Sequence, residues 1–140
     1  MYYVTCKSNS ESIGLAKKVI SCLKRKNLDF EPDASLGGNK KVSETDAGFI
    51  LAIGDDNLIL ETFRNLGKKQ IPLLGIASMQ SFLAQSDASS FQQHIDLIEK
   101  KKYGIQKKSR IVAKFNESLK YPALNDIGIF PAKSASLMRY

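Results

Sequence analysis

The sequence predicts an α/β fold with a mostly parallel sheet. Three observations carry this. Phe49-Ile50-Leu51-Ala52-Ile53 is a continuous apolar run, the pattern of a strand buried on both faces. A segment of helical spacing follows it directly, across the turn Gly54-Asp55-Asp56-Asn57. Strand-like and helix-like segments alternate from Tyr2 to Ile76 with short connections, which implies right-handed crossovers and parallel pairing.

The elements follow in chain order. Tyr2 to Cys6 is rich in β-formers and reads as the first strand. Ser8 and Glu11 have capping-box spacing, so a helix is expected over about Asn9 to Lys26. Its stripe is Ile13, Ala16, Ile20 and Leu23, with Leu15 and Val19 beside it. Lys17, Lys18, Lys24 and Arg25 form a solvated face. Leu28-Asp29-Phe30 is a candidate second strand. Glu31 to Asp46, with Pro32 and Gly37-Gly38, reads as a surface loop. The apolar strand and acidic turn come next, then a helix to about Leu66 carrying Ile59, Leu60, Phe63 and Leu66, with Gly67 as its stop. Ile71 to Ile76 is a strand opening beside Pro72. Ser78 to Gln85 is a polar turn that carries Phe82-Leu83. Ser89 and Ser90 precede a helix with the stripe Phe91, Ile95 and Ile98, closed by Lys100 to Lys102 and Gly104. His94 lies off that stripe and suggests no chemistry.

After this the pattern changes. Gly104 to Phe115 is β-like, Asn116 to Tyr121 turn-like, and Pro122 to Phe130 and Ser134 to Tyr140 read as consecutive strands. The expected organisation is therefore an α/β domain over residues 1–122, with 123–140 leading toward a second, β-rich domain. An ending within an apparent strand, Leu137-Met138-Arg139-Tyr140, suggests a piece of something longer.

Composition narrows the function classes. At 140 residues the chain can bury a core unaided. No apolar run reaches membrane-spanning length, and the N-terminus lacks signal-peptide order, so a cytoplasmic protein with no membrane partner is expected. Cys6 and Cys22 sit in apolar segments and read as buried free thiols. The net charge of +7 favours anionic partners, nucleotide phosphates among them.

The acidic turn is the focus of function. A strand–turn–helix places polar groups at the carboxyl edge of the sheet, where α/β folds bind ligands. Asp56 has two readings here, helix N-cap or chemical carboxylate. Asp55 beside it is the candidate ligand for a metal such as Mg²⁺.

Asp46 to Ile76, DAGFILAIGDDNLILETFRNLGKKQIPLLGI, resembles the core of the NAD kinase family: an apolar strand, GGDGT, an amphipathic helix, a short turn, then IPxLGI. Phe82-Leu83 is similar to the family's GFL element. Ala123-Leu124-Asn125-Asp126 is similar to its A-L-N-E/D segment, and Ser136 to Tyr140 to the strand leading into its second domain. The resemblance covers nearly the whole chain. It implies a Rossmann-like three-layer domain and phosphoryl transfer from ATP or polyphosphate, with Mg²⁺, to the 2′-hydroxyl of the adenosine ribose of NAD. It also implies a homo-oligomer for the complete protein and no nucleic-acid partner. Asp56 then takes the position of the proton-accepting aspartate, and Gly54 that of the first glycine. Asn57 stands at the third glycine, Phe82 at the aromatic residue lining the nucleoside pocket, and Asn125 and Asp126 at the nucleoside-contacting pair.

The departures bear on mechanism. Asp55 stands at the second glycine, where backbone amides approach phosphate. Two like unit charges about 4 Å apart repel by about 4 kcal/mol at an effective dielectric of ~20. Asn57 is a milder change, because asparagine tolerates the left-handed region. Leu58 replaces the threonine, and the turn before Phe82 lacks the family's glycine and arginine. The family's second domain lies outside this sequence, so the chain alone is not expected to turn over. Two other readings stay open: a family member that binds nucleotide or a partner without catalysis, and a GGDG-type kinase of another substrate such as a lipid.

Overall fold

A computed structural model describes residues 1–115, 118–119 and 122–123. The chain falls into two compact units, Met1–Lys107 and Lys108–Tyr140. The first unit contains β1 (Tyr2–Cys6), α1 (Ser10–Arg25), β2 (Phe30–Pro32), β3 (Phe49–Gly54), α2 (Asp56–Asn65), β4 (Leu73–Ala77), β5 (Ser86–Asp87) and α3 (Phe91–Glu99). The sheet runs β2-β1-β3-β4-β5, and every pairing is parallel.

Strand alternation divides the core between the two faces of the sheet. Tyr2, Val4, Cys6, Leu51, Ile53, Leu74 and Ile76 pack with α1 and α3. Tyr3 and Ile50, with Leu73 beside them, pack with Phe63 and Leu66 on and just beyond α2 and with Val42 and Ala47 of the β2–β3 connection. Ile50, Leu51, Ala52 and Ile53 are all fully buried, as a central parallel strand requires.

Helix α1 differs from expectation in its cap and in its face. Asn9, not Ser8, is the N-cap, and its side chain accepts the Ser12 N–H at 2.8 Å. The buried residues are Ser12, Leu15, Ala16, Val19, Cys22 and Leu23, whereas Ile13 and Ile20 are only partly covered. The helix is thus rotated from the predicted stripe, which placed Ile13 and Ile20 at its centre. Both α1 and α3 end in Schellman closures. At α1, Asn27 adopts φ 52° and the Leu28 N–H reaches the Leu23 carbonyl at 3.0 Å. At α3, Lys101 takes φ 54° and the Lys102 N–H reaches Leu97 at 2.8 Å, so that helix stops before Gly104. Because Leu28 closes α1, the second strand starts later than predicted, at Phe30. It includes Pro32, which an edge strand tolerates.

The β2–β3 connection holds only a 3₁₀ turn, Ala34–Leu36. It is nevertheless fixed: the Tyr3 hydroxyl donates to the Lys40 carbonyl at 2.9 Å, and the Thr45 hydroxyl donates to Glu31 at 2.7 Å. Strand β5 is two polar residues and was not expected from sequence. Its approach explains Gly75, where an added Cβ would lie 3.0 Å from the Ala84 Cα and 2.6 Å from the Ile59 Cδ1.

In the second unit, β6 (Lys114–Phe115) pairs antiparallel with β7 (Ser118–Leu119), and Ile111 bridges Ala123. The strand expected from Gly104 onward is not formed over Gly104–Arg110. Ile105, Ile111 and Val112 are exposed among interspersed cations, and that segment offers no apolar face to bury. The strands expected over 122–130 and 134–140 lie outside the described residues, apart from Pro122 and Ala123. Among the described residues, no helix is long and apolar enough to cross a membrane.

Candidate functional site

Strand order 2-1-3-4-5 has its switch point between β1 and β3, so a crevice is expected at their carboxyl ends. The crevice is there. A cavity of about 750 Å³ is bounded by the end of β1 and the residues after it (Thr5 to Ser8), by Asp33 to Ser35, by Asn39 to Ser43, by Asp55, and by the face of α2 that carries Asn57, Leu58, Glu61, Thr62 and Asn65; Asp56 is not part of this lining. That volume suits a nucleotide-sized ligand. The β2–β3 connection read from sequence as a plain surface loop forms one wall.

Register sets the turn residues abreast. Cys6 pairs with Ile53, and Ile53 with Ile76, so Lys7, Gly54 and Ala77 emerge side by side. Gly54 is the buried last residue of β3. An added Cβ there would meet the Leu58 Cδ2 at 2.9 Å and the Lys7 Cβ at 3.2 Å, so glycine permits close packing of strand ends and helix.

Asp55, not Asp56, caps α2, and its carboxylate accepts the Leu58 N–H at 3.1 Å. The same carboxylate is ion-paired with Lys7. The Lys7 ammonium, then the Leu58 N–H, hold the Asp55 carboxyl below the usual aspartate range.

Asp56 is the first residue of α2 and turns toward the β4–β5 connection. It accepts the Ser81 hydroxyl, the Phe82 N–H at 3.1 Å and the Leu83 N–H at 3.0 Å. The Ser81 hydroxyl first, then these amides, lower its pKa, so Asp56 is ionised at neutral pH. Three of these bonds converge on Oδ1, and Oδ2 shares only the Phe82 N–H at 3.2 Å. One carboxylate oxygen thus retains lone-pair capacity for a further donor.

The structure brings Gly54, Asp55, Asp56 and Asn57 together with the backbone of Phe82. Asn57 is exposed, lies within α2 and faces the cavity, and it does not use the left-handed region that motivated its reading. The Phe82 ring is 88% exposed, neither core nor cavity wall. Asn125 and Asp126 lie outside the described residues. Lys7, Ser81 and the hydroxyl pair of buried Ser12 with half-buried Ser78, at 2.7 Å, were missed by sequence reasoning. A lysine just after the first strand was the available signal for Lys7.

Among the described residues no group of three His, Cys, Asp or Glu is placed to hold a metal ion. Both turn carboxylates already have partners. This donor set does not make a protein cage for Mg²⁺, an ion that elsewhere is held by one or two carboxylates together with substrate phosphates.

No family model matches the chain. An NAD kinase of Clostridium kluyveri is 32% identical over 95 residues, 65% of this chain and 34% of that protein. An NAD kinase of Methanothermobacter thermautotrophicus is 25% identical over 138 residues, 92% of this chain and 48% of that protein. The chain is thus similar to NAD kinases along most of its length. It spans about half or less of the length of these relatives. An NAD kinase from Archaeoglobus fulgidus, solved in complex with ATP, shares the fold, with a TM-score of 0.65 at 18% identity over 85% of this chain and 45% of its own. The likeness to that structure is one of fold, an α/β unit with a five-stranded parallel sheet.

Proposed function

We propose that this chain is the amino-terminal part of an NAD kinase-like phosphotransferase, which uses ATP or polyphosphate to phosphorylate the 2′-hydroxyl of the adenosine ribose of NAD. The carrying observation is Asp56, an ionised carboxylate at the carboxyl edge of β3 with one oxygen left to accept a hydroxyl. In phosphoryl transfer the nucleophile must be aligned and its proton accepted as the new P–O bond forms, with little further covalent assistance. Asp56 Oδ2 receives the ribose hydroxyl in this reading. The low pKa keeps it unprotonated, and the Ser81–Leu83 donors fix its orientation.

Phe82 follows Ser81 on the same turn, and its exposed ring offers a stacking face for the nucleobase. Gly54 and Asn57 border the phosphates, and Asn125 and Asp126 contact the nucleoside. Mg²⁺ is taken to arrive bound to the donor phosphates, and no step is assigned to it. Homo-oligomerisation and a cytoplasmic setting belong to the same proposal.

The test is NADP formation from NAD, with ATP or polyphosphate and Mg²⁺, by a protein that joins this chain to the family's second domain. Turnover that falls away with Asp56→Asn is expected. No NADP with either donor, while NAD still binds, would leave a binding protein in place of a kinase.

A further inference from the structure

Asp55 introduces a carboxylate where a phosphate-binding turn needs none, yet the fold supplies its counter-charge. Lys7 is clamped at the switch point. Its N–H donates to the Ile53 carbonyl at 3.1 Å, and its Cβ lies 3.2 Å from where a Gly54 Cβ would stand. The root of the side chain is therefore fixed beside the turn, and its ammonium lies on the Asp55 carboxylate. The side chain is 42% exposed and borders the cavity together with Ser8, Asp55 and Asn57. Of the other cavity lysines, Lys40 is ion-paired with Glu31 at 2.9 Å, and both Lys40 and Lys41 stand on the β2–β3 connection and not beside the turn. A lysine that is fixed at its root, partly open to solvent and on the border of a nucleotide-sized crevice is suited to a second anionic partner.

We propose that Lys7 is a phosphate-binding residue of this site: it neutralises Asp55 in the free protein and contacts the phosphate oxygens of a diphosphate-bearing ligand in the complex. This rests on the nucleotide-binding reading above and adds to it the group that receives the phosphates. The two residues then work against each other. Asp55 holds Lys7 back from the ligand and repels the ligand, whereas Lys7 attracts it.

The experiment is calorimetry with inorganic pyrophosphate, ADP and NAD in metal-free, low-salt buffer. It compares the unmodified chain with Asp55→Gly, Lys7→Met, the double variant and Lys7→Arg. Pyrophosphate should bind roughly tenfold tighter to Asp55→Gly and roughly tenfold weaker to Lys7→Met. The lysine effect should persist in the Asp55→Gly background, and Lys7→Arg should stay within a few-fold of the unmodified chain. Circular dichroism checks that each variant is folded. If Lys7→Met is silent once Asp55 is gone, Lys7 only balances that carboxylate and the proposal is overturned. It is equally overturned if pyrophosphate binds none of the proteins, or if ADP and NAD both bind with no response to Lys7→Met. Pyrophosphate responding as stated while NAD and ADP do not bind would uphold Lys7 and remove the NAD kinase reading. A difference between the ADP and NAD arms identifies which diphosphate Lys7 meets.

Discussion

The Asp56 carboxylate accepts the backbone N–H of Phe82 at 3.1 Å, so the candidate acid–base residue also positions the turn that displays the candidate stacking ring. Start of helix and end of neighbouring strand are joined through one side chain. Substituting Asp56 therefore changes two things at once, the charge offered to a ribose hydroxyl and the order of residues 81–83. Asp56→Asn should cost at least about 10²-fold in NADP formation by a protein containing both domains. It should leave the fold intact while hydrogen exchange at the Phe82 and Leu83 amides accelerates. Unchanged turnover would remove Asp56 from the mechanism.

Two glycines give a graded test of packing. Gly75→Ala drives a Cβ against the Ala84 backbone and the buried Ile59, and should destabilise by about 1–3 kcal/mol or more. Gly54→Ala meets mainly the end of the Leu58 side chain, which can rotate away, and should cost less. Urea unfolding of both variants checks the order.

The β2–β3 connection should loosen without Tyr3's hydroxyl. Tyr3→Phe removes the bond to the Lys40 carbonyl while keeping the buried ring, and should cost about 1 kcal/mol. Limited proteolysis between Leu36 and Asp46 should quicken. Unaltered cleavage would show that this bond does not hold the cavity wall.

Acid stability has a defined source at the start of α3. Asp87 accepts the hydroxyls and amides of Ser89 and Ser90, which pull its pKa from 3.8 down to about 2. A folded pKa below the unfolded one means stability that is present above the unfolded value and lost as pH falls through the folded value. Asp87→Asn should therefore flatten the stability profile between about pH 4 and pH 2, as followed by urea midpoints. Asp55 and Asp56, also lowered, keep part of the slope.

The sheet was legible because its signal is local. Tyr2–Cys6 and Phe49–Ile53 are apolar enough to leave no other reading, and Gly67, with φ 60°, stops α2 as expected. What was illegible depended on contacts between distant residues. Ser86–Asp87 becomes a strand only because Ile76 and Ala77 lie beside it. Asn9 and Ser8 are equally good caps on paper, and the choice turns on where β1 ends. At the site, Asp56 was legible by its position, but its bonds to Ser81, Phe82 and Leu83 join residues 25 or more apart in sequence. Lys7 was hidden because 48 residues separate it from Asp55. Gly104–Arg110 misled, since Ile105, with Ile111 and Val112 just beyond the segment, set among cations, resembles a strand until a partner must be found.

The parallel register through Cys6, Ile53 and Ile76 has a consequence for how this chain can vary in length. Adding or deleting one residue inside β1, β3 or β4 shifts that strand's turn by about 3.3 Å and exchanges its two faces. Lys7, Gly54 and Ala77 would no longer stand level, and the core would invert along that strand. The span from Gly37 to Asp46 has no such ladder to keep in step. Length polymorphism should concentrate there, altering the bore of the crevice while the three turns stay aligned.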